Sequence, residues 1–145
     1  MKRIILFLVF VVSLQTTMLA GNDKPIDINQ LPETAQQFIQ KHFSNEKISI
    51  AKMETEFFDK SYEIFFVNGN KIEFDKKGNW TEINCKFSEV PGGVIPQKIR
   101  DHVTSNYSES KVIEIDRDKH DYEVKLSNGL ELKFDLKFNL IDIDN

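Results

Sequence analysis

Tyr62-Glu-Ile-Phe-Phe-Val-Asn-Gly-Asn-Lys-Ile-Glu-Phe-Asp75 is the stretch on which the fold turns. Tyr62, Ile64 and Phe66 alternate with Glu63, and Ile72 and Phe74 alternate with Lys71, Glu73 and Asp75. Alternation of this kind puts one face of a strand in a core and the other toward water. Asn68-Gly69 lies between the two runs, and Asn-Gly predicts a tight type I′ hairpin whose central residues both take positive φ. Lys76-Lys77-Gly78-Asn79 is the next turn, and it leads into a strand from Trp80 to Cys85.

The same phrases return sixty residues later. Tyr122-Glu123-Val124 answers Tyr62-Glu63-Ile64, Asn128-Gly129 answers Asn68-Gly69, and Leu132, Phe134 and Asp135 answer Ile72, Phe74 and Asp75. Further strands are expected around Ile48–Glu54, Val112–Asp116 and Leu140–Asp144. Each set is preceded by a helical pattern. Leu31, Ala35, Phe38, Ile39 and Phe43 share one helix face, as do Ile95, Ile99, Val103 and Tyr107. Pro32 and Pro96 open these helices, where a missing N–H costs nothing. Pro91-Gly92-Gly93 breaks the chain between the two sets.

The expected architecture is therefore α+β. It is a tandem duplication of a helix plus a four-stranded antiparallel meander, residues 31–88 and 89–145, with the helices on one sheet face. A single unit of that size would be marginal alone, and joining two gives a workable core. The other sheet face would stay open to solvent or to a partner.

The first 20 residues carry a different message. Lys2 and Arg3 precede an apolar run from Ile4 to Leu14, then Gln15, Thr16 and Thr17, with Ala20 as a small residue for cleavage. This is the layout of a bacterial Sec-type signal peptide, too short to span a membrane. The expected mature protein is periplasmic or secreted, begins with a polar leader over residues 21–30, and has no membrane span. No Cys follows the apolar run, so no lipid anchor is expected.

Of 145 residues, 40% are hydrophobic and 12 are Phe, which excludes a disordered chain. The net charge is −4, and the signal segment contributes two positive charges and no acid, so nucleic acid is excluded as a partner. One Cys, Cys85, excludes a disulfide framework and a multi-cysteine metal site. It reads as a small buried hydrophobe on a strand.

The Leu31-Pro32 and Ile95-Pro96 helix openings, the Tyr-Glu-Ile and Tyr-Glu-Val strands, the Asn-Gly hairpins and Phe74-Asp75 followed by Asn79-Trp80 resemble the PepSY-like proteins. These are related to the fold of the β-lactamase-inhibitor protein. The resemblance covers residues 31–144, and it departs where Phe138 and Leu140 stand in place of Gly78 and Trp80. It implies an exported protein that binds, and in some relatives inhibits, secreted or periplasmic enzymes such as peptidases and β-lactamases. It brings no catalytic residues.

The residues themselves offer little chemistry. His42, His102 and His120 have no zinc-ligand spacing, and Asp101, His102 and Ser105 or Ser108 are helix neighbours that cannot form a relay. Asp116, Asp118, Asp121, Asp142 and Asp144 lack the spacing and glycine of a calcium loop and read as solvated turns. No enzyme activity, cofactor or metal site is expected.

Comparing the two sets singles out what is not shared scaffold. Phe65 falls opposite Lys125 and Phe58 opposite Asp118, so the first set carries extra aromatic surface. Phe58, Phe65 and Trp80 become candidate binding anchors, with Glu63, Glu73 and Glu82 as an acidic rim. The competing reading packs these aromatics between the two sets. The expected function is docking of an envelope or secreted protein through the open sheet face. The alternatives are a periplasmic carrier of a small ligand and a structural component that self-assembles by its sheet edge.

Overall fold

The computed structural model describes residues 22–145; the expected signal peptide lies outside the described residues. The polar leader is not a free tail. Lys24–Ile26 forms β1, paired antiparallel with β2, Ile48–Glu56. Between them runs α1, Glu33–His42. Pro32 stands just before its first turn, and Ala35 and Ile39 face the core with Leu31 and Phe43 at either end.

After β2 come β3, Asp59–Phe66, β4, Lys71–Asp75, and β5, Trp80–Asn84. Next is α2, Gln97–Asn106, which buries Ile99 and Val103. It is followed by β6, Val112–Arg117, β7, Asp121–Leu126, β8, Glu131–Asp135, and β9, Leu140–Asp144.

The expected tandem of two helix-plus-meander units is corrected here. Among the described residues the strands form one nine-stranded sheet in sequence order, every neighbouring pair antiparallel, with two short α-helices and one 3-10 turn, Ile28–Gln30, beside it. The chain remains α+β. The sheet runs without a break across residues 88 and 89 because β5 pairs with β6: Glu82 with Asp116, Ile83 with Ile115 and Asn84 with Glu114. Ile83 and Ile115 are both fully buried, so the core is also continuous across that seam. It holds Ile64, Ile72 and Phe74 on one side, and Val124, Leu132 and Phe134 on the other.

The hairpins also differ from expectation. At Asn68-Gly69 only the glycine takes positive φ, 90°. Phe66 N–H donates to the Asn70 carbonyl at 2.9 Å, which closes a three-residue loop with glycine in its last place. The loop at Asn128-Gly129 is the same, with Gly129 at 95°. Asn68 Oδ1 and Asn128 Oδ1 each accept the N–H two residues on, which is why asparagine serves there without itself adopting positive φ.

Candidate functional site

With both helices on one face, every second strand residue points to the other face, and the register decides which of these meet. Glu63 pairs with Glu73, Glu73 with Glu82, Glu82 with Asp116, and Asp116 with Glu123. Carboxylates thus stand side by side across β3 to β7, and Lys52 and Lys133 occupy the same row at its two ends. Directly opposed like charges on neighbouring strands are unfavourable, so this row costs the folded state something.

Part of that cost is offset locally. Lys71 Nζ lies 2.8 Å from Glu73 Oε1 and 3.2 Å from Glu82 Oε1. Burial works against the Lys71 ammonium, but Glu73 and Glu82 outweigh it and raise its pKa. At the far end, Lys133 Nζ sits 3.2 Å from Asp121 and 3.0 Å from Glu123.

Asp116, within the row, has no such cation among the described residues. Burial first, then Glu114, Glu82, Glu123 and Glu73, push its carboxyl up to about 7. Burial and then Glu82 raise Glu114, and burial together with a hydrogen bond to Glu73 raises Glu63. Glu82, Glu114 and Asp116 bring one oxygen each to within 4.8 Å of one another, and these three are the residues that could hold a hard cation.

Of the residues singled out in the sequence, Glu63, Glu73 and Glu82 come together in this row. Phe65 shares the face, opposite Ile50 and Lys71 in the next row, with Lys52 Nζ 5.4 Å from its ring centroid. Trp80 does not belong with them, which corrects its role as an exposed anchor. It is only 6% exposed and lies in the core. A register shift between β4 and β5 sets it opposite Phe74, Tyr122 meets it edge-on at 6.5 Å, and the Arg117 guanidinium covers its ring at 3.8 Å. Phe58 is fully exposed but off the face, at the tip of the β2–β3 hairpin.

Asp116, Glu114 and Glu123 escaped the sequence reading. Asp116 is close in sequence to Asp118 and Asp121, yet of the three only Asp118 is a turn residue, its Oδ1 accepting the N–H groups of His120 and Asp121. The available signal was parity: each of these acids alternates with a core residue of its strand. Cys85 is buried as expected, and burial pushes its thiol up to about 12, which disfavours the thiolate at neutral pH.

Among the described residues no helix is long and apolar enough to cross a membrane. A family model described as "Putative beta-lactamase-inhibitor-like, PepSY-like" matches residues 17–58 and 60–142. No curated protein matches the chain. A solved structure described as a "putative calcium-regulated periplasmic protein" from Bacteroides thetaiotaomicron is 63% identical, with a TM-score of 0.84 over 85% of this chain and 97% of that one. A solved structure from Bacteroides vulgatus, described as a "putative periplasmic protein" of the DUF2874 family, is 62% identical, with a TM-score of 0.84 over 87% and 99% of the two chains. A second protein from that organism, described as periplasmic and of unknown function, is 38% identical, with a TM-score of 0.80 over 85% and 99%.

Proposed function

This chain belongs to the β-lactamase-inhibitor-like, PepSY-like family, and from that premise we propose that it is an exported, non-enzymatic binding protein that docks another envelope protein on its open sheet face. The observation that carries this reading is the in-register row of carboxylates from Glu63 to Glu123, on a face that no helix covers among the described residues. Mutual repulsion within the row is relieved when a basic surface covers it, so the partner's patch is lysine- or arginine-rich. Phe65 and Ile50 supply an apolar corner beside the row. The family description, "beta-lactamase-inhibitor-like", directs the search for a target of inhibition to β-lactamases first, with envelope peptidases tested beside them.

Cross-linked capture from the cell envelope, compared between wild type and a Phe65→Ser, Glu123→Lys variant, tests this. A basic protein enriched only by wild type, with association slowed by added salt, is the expected outcome. Equal capture by a folded variant would sink the assignment of the face.

A second reading is favoured by the convergence of Glu82, Glu114 and Asp116 together with the "calcium-regulated" description of the 63% identical relative. Calcium bound there would neutralise the centre of the row and switch the face from one partner chemistry to another. Calorimetric titration should show binding in the range of about 10⁻⁴–10⁻³ M typical of extracellular modules, lost in Glu114→Gln, Asp116→Asn. Absence of heat and of any shift in melting temperature at high calcium would remove this reading.

A further inference from the structure

The β2–β3 hairpin ends in two adjacent aromatic residues that do nothing for the fold. Phe57 is 90% exposed and Phe58 fully exposed, and neither ring packs against the core. Phe57 also takes φ of 55°, in the first place of a two-residue turn, where glycine ordinarily stands. A bulky residue held at positive φ is a genuine outlier, and such strain gathers at functional positions. The hairpin projects as well. β4 reaches β3 no farther than Ser61, opposite Asp75, and β1 reaches β2 no farther than Met53, opposite Lys24. Beyond these points the two strands pair only with each other, through Glu56 and Asp59.

At the other end of the sheet the same chain carries a cleft of matching character. Val90, Ile95, Val103 and Val112 form its floor, between α2 and the start of β6, and its volume is about 180 Å³. Thr104 and Ser110 line it as well, and this open depression has room for about one phenyl ring. Arg100 and Lys111 stand on its rim with Glu89, and neither cation forms an ion pair among the described residues. The tip is flanked by Glu54 and Glu56, which likewise have no ion pair among the described residues, whereas Asp59 is held by Lys76 at 3.2 Å. One phenyl ring of the tip, and the sign of the charges that flank it, therefore fit the cleft.

We infer that the Phe57-Phe58 tip of one copy seats in the α2–β6 cleft of a second copy, with Glu54 and Glu56 against Arg100 and Lys111. The tip and the cleft lie at opposite ends of the sheet, so the contact is head-to-tail and leaves one tip and one cleft free in every open assembly. This association is independent of docking on the open face, since none of these residues belongs to the carboxylate row.

Sedimentation velocity over a concentration series tests it. Wild type should show a weight-average sedimentation coefficient that climbs with concentration. A tip variant, Phe57→Ser with Phe58→Ser, and a cleft variant, Thr104→Glu with Lys111→Glu, should each weaken self-association at least tenfold. Neither variant touches the core or the contacts of Arg100 with Gly92 and Gln97, and unchanged melting curves verify the fold. Mixed one to one, the two variants should form a heterodimer and nothing larger, because one keeps its cleft and the other its tip.

Wild type that stays monomeric throughout overturns the proposal, as does a mixture that stays monomeric or a tip variant that associates undiminished. Monomeric wild type that floats with phosphatidylcholine–phosphatidylglycerol vesicles, or cross-links a different protein at Phe58, would overturn it by giving the tip another occupant.

Discussion

Gly78 and Gly129 both hold positive φ at the ends of three-residue loops, yet they stand in different company. A Cβ on Gly78 would come within 2.8 Å of Pro32 Cβ and 2.9 Å of the Ala35 backbone nitrogen, where α1 begins. A Cβ on Gly129 would meet nothing within 4 Å. Alanine at either place incurs about 1–2 kcal/mol for the left-handed backbone, and only Gly78→Ala must also push a helix off the sheet. Urea denaturation should therefore give a loss of about 3 kcal/mol or more for Gly78→Ala, a sum of conformational strain and overpacking, and about 1 kcal/mol for Gly129→Ala. Equal losses would mean that α1 yields easily and that the close approach is of no consequence. The sequence made Gly69 and Gly129 legible through Asn-Gly. It could not reveal that Phe57 and Phe138, at 55° and 64°, adopt the same region, because nothing intrinsic to phenylalanine favours it. Phe138 gains a return in packing, its ring 5.2 Å from that of Tyr122, and Phe57 gains none within the monomer.

Strands β3 to β7 could be read as half-buried from their alternation alone, and the residues on the open face follow from parity. Which acids become neighbours depends on register, and register depends on turn length. Here three-residue loops replace the expected two-residue turns. The β5–β6 contact, which brings Asp116 to Glu82, joins strands on either side of α2 and has no local signature. That contact has a consequence for pH dependence. Asp116 is raised from its ordinary value to about 7 by burial and by the surrounding carboxylates. Between about pH 4 and pH 7 the folded chain then holds a proton that the unfolded chain releases, so this group makes stability fall as pH rises through that window and stay level above it. Glu114 and Glu63, also raised, act in the same direction. The lowered carboxyls of Asp75 and Asp135, bonded to the backbones of their turns, act oppositely and withdraw stability only as pH drops through the ordinary carboxylate range. Asp116→Asn should accordingly stabilise the protein at pH 8 by about 1 kcal/mol, a figure reduced for the solvent that reaches this half-buried group. The gain should shrink to nothing toward pH 4. Denaturant midpoints across pH 4 to 8 measure it, and an Asn variant no more stable than wild type at pH 8 would show that solvent already screens the row.

The molecule as a whole is legible in its halves more than in their union. Helical and strand periodicities locate both helices and most strands, and they place Phe74 and Phe134 in a core. They are silent on whether two such cores fuse, because fusion rests on three cross-strand pairs at β5–β6 and on side chains that meet only in space. Trp80, the one tryptophan, shows what the union does. It lies on β5, yet its ring meets Tyr122 of β7 and lies under Arg117 of β6, which is also why an apparently surplus aromatic turned out to be core. Its fluorescence therefore reports on both sides of the seam. If the sheet is one cooperative unit, a cavity cut far from Trp80 must register there. Leu132→Ala, at a fully buried site on β8, should cost about 2–5 kcal/mol. It should move the urea midpoint by tryptophan fluorescence and by far-UV circular dichroism equally, as two-state unfolding requires. A biphasic fluorescence transition, with only its earlier step moved by the substitution, would mean that residues before and after the seam unfold independently. The same result would bear on docking, because a face whose carboxylates span β3 to β7 keeps its spacing only while the β5–β6 seam stays closed.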